Sequence, residues 1–308
     1  MDFRRERIEL DDGDFLDLDF IDVLGQSWAA LGNSSPICLV LHGLEGSSRA
    51  GYACETYRRL AHAGIRPVGF NFRGCSGQPN RLARSYHSGE TADPRLVIAW
   101  LKHRFGGVLI GAIGFSLGGN VLLKHLGESG LACGLDAAAV VSVPFDLGAC
   151  SDALGRGFSR IYQRDLLGAL RRKLLPRRRL IEGQCDFERG LNATDFRTFD
   201  DAITAPIHGI ASADAYYQTC SSGRFLSRIE IPVGLVQSLD DPFVPATSVP
   251  RQVIADNPNL TTFFTTGGGH VGFVSGAPWR RTFWAEKTAA GFISNRLTAT
   301  VLPMDIGE

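Results

Sequence analysis

Hydrophobic and polar positions follow two patterns along this chain, and the difference sorts its strands. Arg7-Ile8-Glu9-Leu10 and Phe15-Leu16-Asp17-Leu18-Asp19-Phe20 alternate around Asp11-Asp12-Gly13-Asp14. That is the pattern of an antiparallel hairpin at a sheet edge with one face in water. Pro36-Ile37-Cys38-Leu39-Val40-Leu41 is instead a continuous apolar run, as a strand buried on both faces of a parallel sheet requires. Ile65 to Phe70, Gly107 to Ile113 and Leu135 to Val143 read as further buried strands, and the alternation of strand and helix resumes at Ile231 to Val236 and again at Leu260 to Thr266. Helical spacing covers about Gly51 to Ala63, Gly119 to Leu126 and about Trp279 to Arg296. A further helix is expected to about Phe105, with Asp93 as N-cap and Pro94 as first helical residue. Strands alternating with helices predict an α/β fold: a mostly parallel, doubly wound sheet with an antiparallel N-terminal edge hairpin. From Pro144 to about Arg228 helical segments occur without a buried strand. This predicts a helical cap insertion, 144–228, in a core domain made of 1–143 and 229–308.

Composition narrows the function classes. With 32 basic and 32 acidic residues among 308, no global field points to nucleic acid. No window approaches the ~18 apolar residues of a membrane span, and no apolar stretch follows the basic N-terminus, so a soluble cytoplasmic protein is expected. Seven scattered cysteines without C-x-x-C spacing fit reduced thiols rather than a disulfide frame or a zinc site. The one charge asymmetry is residues 151–190, with ten basic and five acidic side chains, net +5. It reads either as a solvated helix face or as a patch that meets anionic head groups or an acidic substrate.

The candidate chemistry centres on Gly114-Phe115-Ser116-Leu117-Gly118. An apolar strand leads into this G-x-S-x-G and a helical pattern leaves it, the context of a nucleophile elbow that lifts a serine hydroxyl clear of the sheet. A serine needs a base, and the base needs an acid to orient it, each expected just after a later strand. Gly267-Gly268-Gly269-His270 follows the last strand and Ser238-Leu239-Asp240-Asp241-Pro242 the one before it. His270 is therefore the candidate base. Asp241, directly before Pro242, is preferred as the acid to Asp240, which could instead cap a helix or hold the loop. The oxyanion donors expected are the Leu117 N–H, next to the nucleophile, and the Leu44 N–H in the loop after the third strand, where His42 would brace the chain. Neither G-x-G-x-x-G with an acidic partner, nor G-x-x-x-x-G-K-[ST], nor H-E-x-x-H occurs. No cofactor and no metal are expected.

His42-Gly43-Leu44-Glu45-Gly46-Ser47-Ser48, Asn71-Phe72-Arg73-Gly74, Tyr86-His87-Ser88-Gly89-Glu90-Thr91, Gly114 to Asn120, Asp240-Asp241-Pro242-Phe243 and Gly269 to Phe273 together span most of the chain. In them it resembles the α/β-hydrolases, and more narrowly the YheT-like branch that includes eukaryotic ABHD-type lipid hydrolases. The triad is common to the superfamily; the HGLEGSS and SGET stretches point to the branch. Ala205 to Tyr217 also resembles the family's cap. The resemblance implies hydrolysis of carboxylic esters through an acyl-enzyme, on short- or medium-chain acyl esters or lipid esters. Rivals are an acyltransferase or thioesterase with the same triad, and a catalytically silent lipid- or partner-binding module.

Overall fold

The computed structural model describes residues 1–277 and 280–298 of the chain. Strands β1 (Asp2–Glu9), β2 (Phe15–Asp22), β3 (Ile37–Leu41), β4 (Arg66–Asn71), β5 (Ile110–Phe115), β6 (Ala137–Val141), β7 (Val233–Ser238) and β8 (Leu260–Thr265) form one sheet. Its order is β1-β2-β4-β3-β5-β6-β7-β8, antiparallel at β1–β2 and β2–β4 and parallel in the other pairs. The apolar runs are continuous because each central strand feeds two cores. Ile37, Leu39 and Leu41 of β3 pack with helices Ala92–Arg104 and Leu117–Ser129 on one face, while Cys38 and Val40 pack with Gly51–His62 and Trp284–Leu297 on the other. Each such Leu or Ile, fully buried, contributes about 1.5–3 kcal/mol.

Three local expectations are corrected. The polar positions of β2 do not face water: Asp17 and Asp19 are 1 % and 0 % exposed. The strand lies inside the sheet, and Arg7 and Arg5 of β1 reach across to donate bidentate pairs to the two carboxylates at 2.8–2.9 Å. Asp93 is not the N-cap of its helix; Thr91 holds that position, and the Asp93 carboxylate receives two 2.8 Å bonds from buried Arg73. Arg73 also donates to Asp12 and Asp14, so the hairpin turn is fixed to the sheet by one guanidinium. Finally, the last helix begins at Trp284, after a two-stranded hairpin, β9 (Val274–Ala277) with β10 (Arg280–Phe283). Trp279, placed at the helix start by its sequence, lies outside the described residues.

Between β6 and β7 the chain forms a run of short helices, the longest Ser159–Leu174. Their apolar sides close a separate small core around Leu167, Phe187, Phe199 and Ile203. Much of the basic stretch is spent internally. Arg171 donates to the Ala193 carbonyl, Lys173 pairs with Glu45, Arg177 donates to the carbonyls of Leu82 and Ala83, and Arg178 pairs with Glu182 and Glu188. Arg156 and Arg160, at the other end of the segment, are exposed without an ion pair among the described residues. No helix among the described residues is long and apolar enough to cross a membrane.

Candidate active site

Ser116 directly follows β5 and caps the helix Leu117–Ser129, with φ 50° and ψ −116°. A non-glycine residue in that region stores about 1–3 kcal/mol of strain. The surroundings hold it there: Ser116 N–H donates to the Val141 carbonyl at 2.8 Å, and Asn120 N–H donates to the Ser116 carbonyl at 3.0 Å. The flanking glycines are explained by close approach. A Cβ on Gly114 would stand 2.6 Å from the Gly118 carbonyl oxygen, and one on Gly118 2.6 Å from the His42 carbonyl oxygen.

The loops after β5, β7 and β8 bring three predicted residues together at the carboxyl ends of the strands, where open α/β sheets place their sites. His270 Nε2 is 2.9 Å from Ser116 Oγ, and His270 Nδ1 is 2.8 and 3.1 Å from the two Asp241 oxygens. The carboxylate can only accept, so Nδ1 carries the proton and Nε2 is left to accept from the serine hydroxyl. Asp241 is itself held: Phe243 N–H donates to Oδ1 at 2.8 Å, Val244 N–H at 3.3 Å, and Gln237 Nε2 to Oδ2 at 3.2 Å. Asp240 does not touch His270. It accepts from the Gly269 N–H at 2.9 Å and from Ser238 Oγ, hydrogen bonds that hold its carboxyl below the usual carboxylate range. It ties the glycine loop that carries His270.

Leu44 and Leu117 both line the cavity over Ser116. Neither N–H donates to another group among the described residues, so both are open to a ligand. The Leu117 N–H also lies at the positive end of a 13-residue helix, which favours negative charge. The loop holding Leu44 is fixed on both sides. Gly43 N–H donates to Tyr52 Oη at 2.9 Å and Glu45 N–H to Tyr86 Oη at 2.9 Å, while Tyr86 donates back to Glu45 Oε1 at 2.6 Å. His42 donates from Nδ1 to the Gly43 carbonyl at 2.7 Å and accepts from Phe72 N–H at 3.3 Å. Burial pushes its imidazole down to about 4, so it stays neutral and braces the loop.

The cavity, about 260 Å³, is closed on one side by the helices between β6 and β7, through Leu147, Leu154, Leu166, Leu170, Phe196 and Phe199. Some of its walls were hard to foresee. The Tyr86–Thr91 stretch places His87 and Ser88 on the cavity. Ser88 N–H donates to Tyr216 Oη at 2.8 Å, and Asn120 donates to the Ser88 and Cys220 carbonyls at 2.8 Å. Asn120 and Tyr52 were not anticipated as site supports. The only signal was the position of Asn120 four residues after the nucleophile, one helical turn on, on the same face.

A sequence profile of the alpha/beta hydrolase fold matches residues 36–277. YheT of Escherichia coli (strain K12), provisionally named an esterase, is 38 % identical over 296 residues, covering 96 % of this chain and 85 % of that protein. Phospholipase ABHD3 of Mus musculus is 30 % identical over 292 residues, covering 94 % of this chain and 71 % of that protein. Among solved structures, esterase Pf2001 of Pyrococcus furiosus superposes with a TM-score of 0.61 at 17 % identity, over 96 % of this chain and 91 % of that one.

Proposed function

This chain belongs to the α/β-hydrolase family, in the branch of YheT and the ABHD-type enzymes, and is a carboxylic ester hydrolase; from that premise we propose a serine mechanism at Ser116. His270 Nε2 takes the hydroxyl proton as Ser116 Oγ attacks the ester carbonyl carbon. The oxyanion that forms is held by the Leu44 and Leu117 N–H groups, each such donor lowering the barrier by about 3–4 kcal/mol. Asp241 keeps the proton on Nδ1 and stabilises the imidazolium. Collapse breaks the bond to the alcohol, which leaves with the proton from His270, and an acyl-enzyme remains. Water then attacks that ester with His270 again as base, releasing the acid and restoring Ser116.

The observation that carries this reading is the unbroken chain of hydrogen bonds from Ser116 through His270 to Asp241. A cavity of about 260 Å³ is small against the usual ~300–1,000 Å³ of ligand pockets, and favours short- or medium-chain acyl groups. Seven cysteines without a disulfide favour a reducing, cytoplasmic setting, and the 144–228 helices act as the cap. The exposed residues Phe158, Ile161 and Tyr162, at 89 %, 53 % and 52 %, stand beside Arg156 and Arg160. Tyr162 packs 5.1 Å from Phe243, whose ring lies 4.3 Å from His270. This edge of the cap would meet an anionic lipid surface next to the cavity.

The test is a p-nitrophenyl ester series from acetate to palmitate. Turnover should peak at a short or medium chain and fall to background in Ser116→Ala. Activity undiminished in that variant would refute the assignment of the nucleophile.

A further inference from the structure

The cavity wall contributed by the cap is not uniformly apolar. Asp200, half-buried, lies on the π-helical turn Asp200–Thr204 and lines the same cavity as Ser116, together with Ser151, Thr204 and Tyr217. Single π turns recur at functional sites because they redirect side chains out of the helical ladder. Thr204 Oγ1 donates to Asp200 Oδ1 at 2.6 Å, and Tyr217 Oη donates to Oδ2 at 2.8 Å, with Ser151 Oγ 3.3 Å from the same phenol oxygen. Its own turn and the helix carrying Tyr217 thus each supply a donor to one carboxylate.

No basic side chain pairs with it among the described residues; the nearby Arg197 is taken by Asp152 and Asp214. Enclosure without a counter-ion pushes the Asp200 carboxyl up to about 6, against the Thr204 and Tyr217 hydrogen bonds. A plain acyl chain has no use for such a group: an uncompensated carboxylate against alkyl costs free energy. Each carboxylate oxygen has two acceptor sites, so both retain capacity after Thr204 and Tyr217 are counted. A neutral donor suits the place better than an ammonium, whose own desolvation in so apolar a cavity would cancel the attraction.

We propose that Asp200, positioned by Tyr217 and Thr204, is a specificity-determining residue that accepts a hydrogen bond from a free hydroxyl on the substrate, away from the scissile carbonyl. The inference rests on the ester hydrolysis proposed at Ser116. It narrows the substrate class to hydroxylated esters, the hydroxyl being carried on the acyl chain or on the alcohol.

Two matched pairs test it: p-nitrophenyl 6-hydroxyhexanoate against p-nitrophenyl hexanoate, and glycerol monobutyrate against propyl butyrate. A hydrogen bond to a charged acceptor predicts a preference in kcat/KM of roughly ten- to hundredfold for the hydroxylated member of one pair. In Asp200→Asn that ratio should fall by at least about fivefold, and in Asp200→Leu it should approach one. Ratios near one in both pairs of the wild-type enzyme, or ratios unaltered in a variant that still hydrolyses the plain esters, would overturn it. The wild-type ratios decide the matter even if both variants fail to fold. Loss of all ester turnover by the wild type would instead refute the reaction at Ser116.

Discussion

Replacing Asp241 by Asn isolates what the acid does, because the structure dictates how the amide must sit. Oδ1 accepts from the N–H groups of Phe243 and Val244, so the asparagine carbonyl oxygen takes that position. Its NH2 then occupies the place of Oδ2, facing His270 Nδ1 at 2.8 Å. A donor there obliges Nδ1 to accept, which moves the ring proton to Nε2, and Nε2 can no longer receive the proton of Ser116. Loss of the correct tautomer alone is worth about 10⁴ in kcat, or roughly 5.5 kcal/mol of transition-state stabilisation. Asp240→Asn is the control. Asp240 is exposed and bonds to the glycine loop and to Ser238, and an asparagine keeps an acceptor for the loop. Its kcat should stay within about tenfold of wild type, a loss of no more than about 1.4 kcal/mol. The assay is steady-state hydrolysis of p-nitrophenyl butyrate with both variants checked for a native thermal transition. An Asp241→Asn enzyme that keeps more than about 1 % of wild-type kcat, or an Asp240→Asn enzyme that loses more than Asp241→Asn, would refute the reasoning.

Arg73→Met should destabilise the fold by about 3–5 kcal/mol, since it leaves the buried carboxylates of Asp93 and Asp14 without their guanidinium. With about 2.1 cal/mol/K per residue over 308 residues, the melting midpoint falls by roughly 5–8 °C, and a drop under about 2 °C would contradict the role given to Arg73. Burial alone would raise the Asp19 carboxyl, but donation by Arg5, Ser48 and Asn71 brings it net below its ordinary value. A depressed folded value means stability that is present above the unfolded value of ~3.9 and lost as the pH falls through the folded one. Urea midpoints should therefore drop steeply below about pH 4, and less steeply in Asp19→Asn; equal slopes would exclude Asp19 as a contributor. Binding to phosphatidylserine-containing vesicles should weaken as NaCl rises from about 0.05 to about 0.5 M and weaken again in Phe158→Ser with Ile161→Ser. Salt-independent binding, or none, removes the lipid contact from the account.

What could be read from the chain alone was whatever depends on neighbours in sequence. Gly114 marks the elbow because steric crowding there is local: it meets Gly118 and Gly119. Apolar runs located the central strands because burial on both faces leaves few polar positions. The errors have a common cause in partners far along the chain. Asp17 and Asp19 looked wet until Arg7 and Arg5 crossed from β1 to neutralise them, and Asp93 looked like a cap until Arg73, 20 residues away, claimed it. Asp200 gave little local signal, since beyond Thr204 on its own turn its environment comes from Tyr217 and Ser151 on two other helices of the cap. The hairpin Val274–Ala277 with Arg280–Phe283 was hidden by the brevity of its strands.

The central claim is that Ser116 is the activated nucleophile, and covalent labelling reads it most directly. The intact protein should react with a fluorophosphonate, gain one adduct by mass, and yield a modified peptide containing Ser116. Ser116→Ala should not label and His270→Ala should label far more slowly. Labelling at another residue, or equal labelling in Ser116→Ala, would contradict the account.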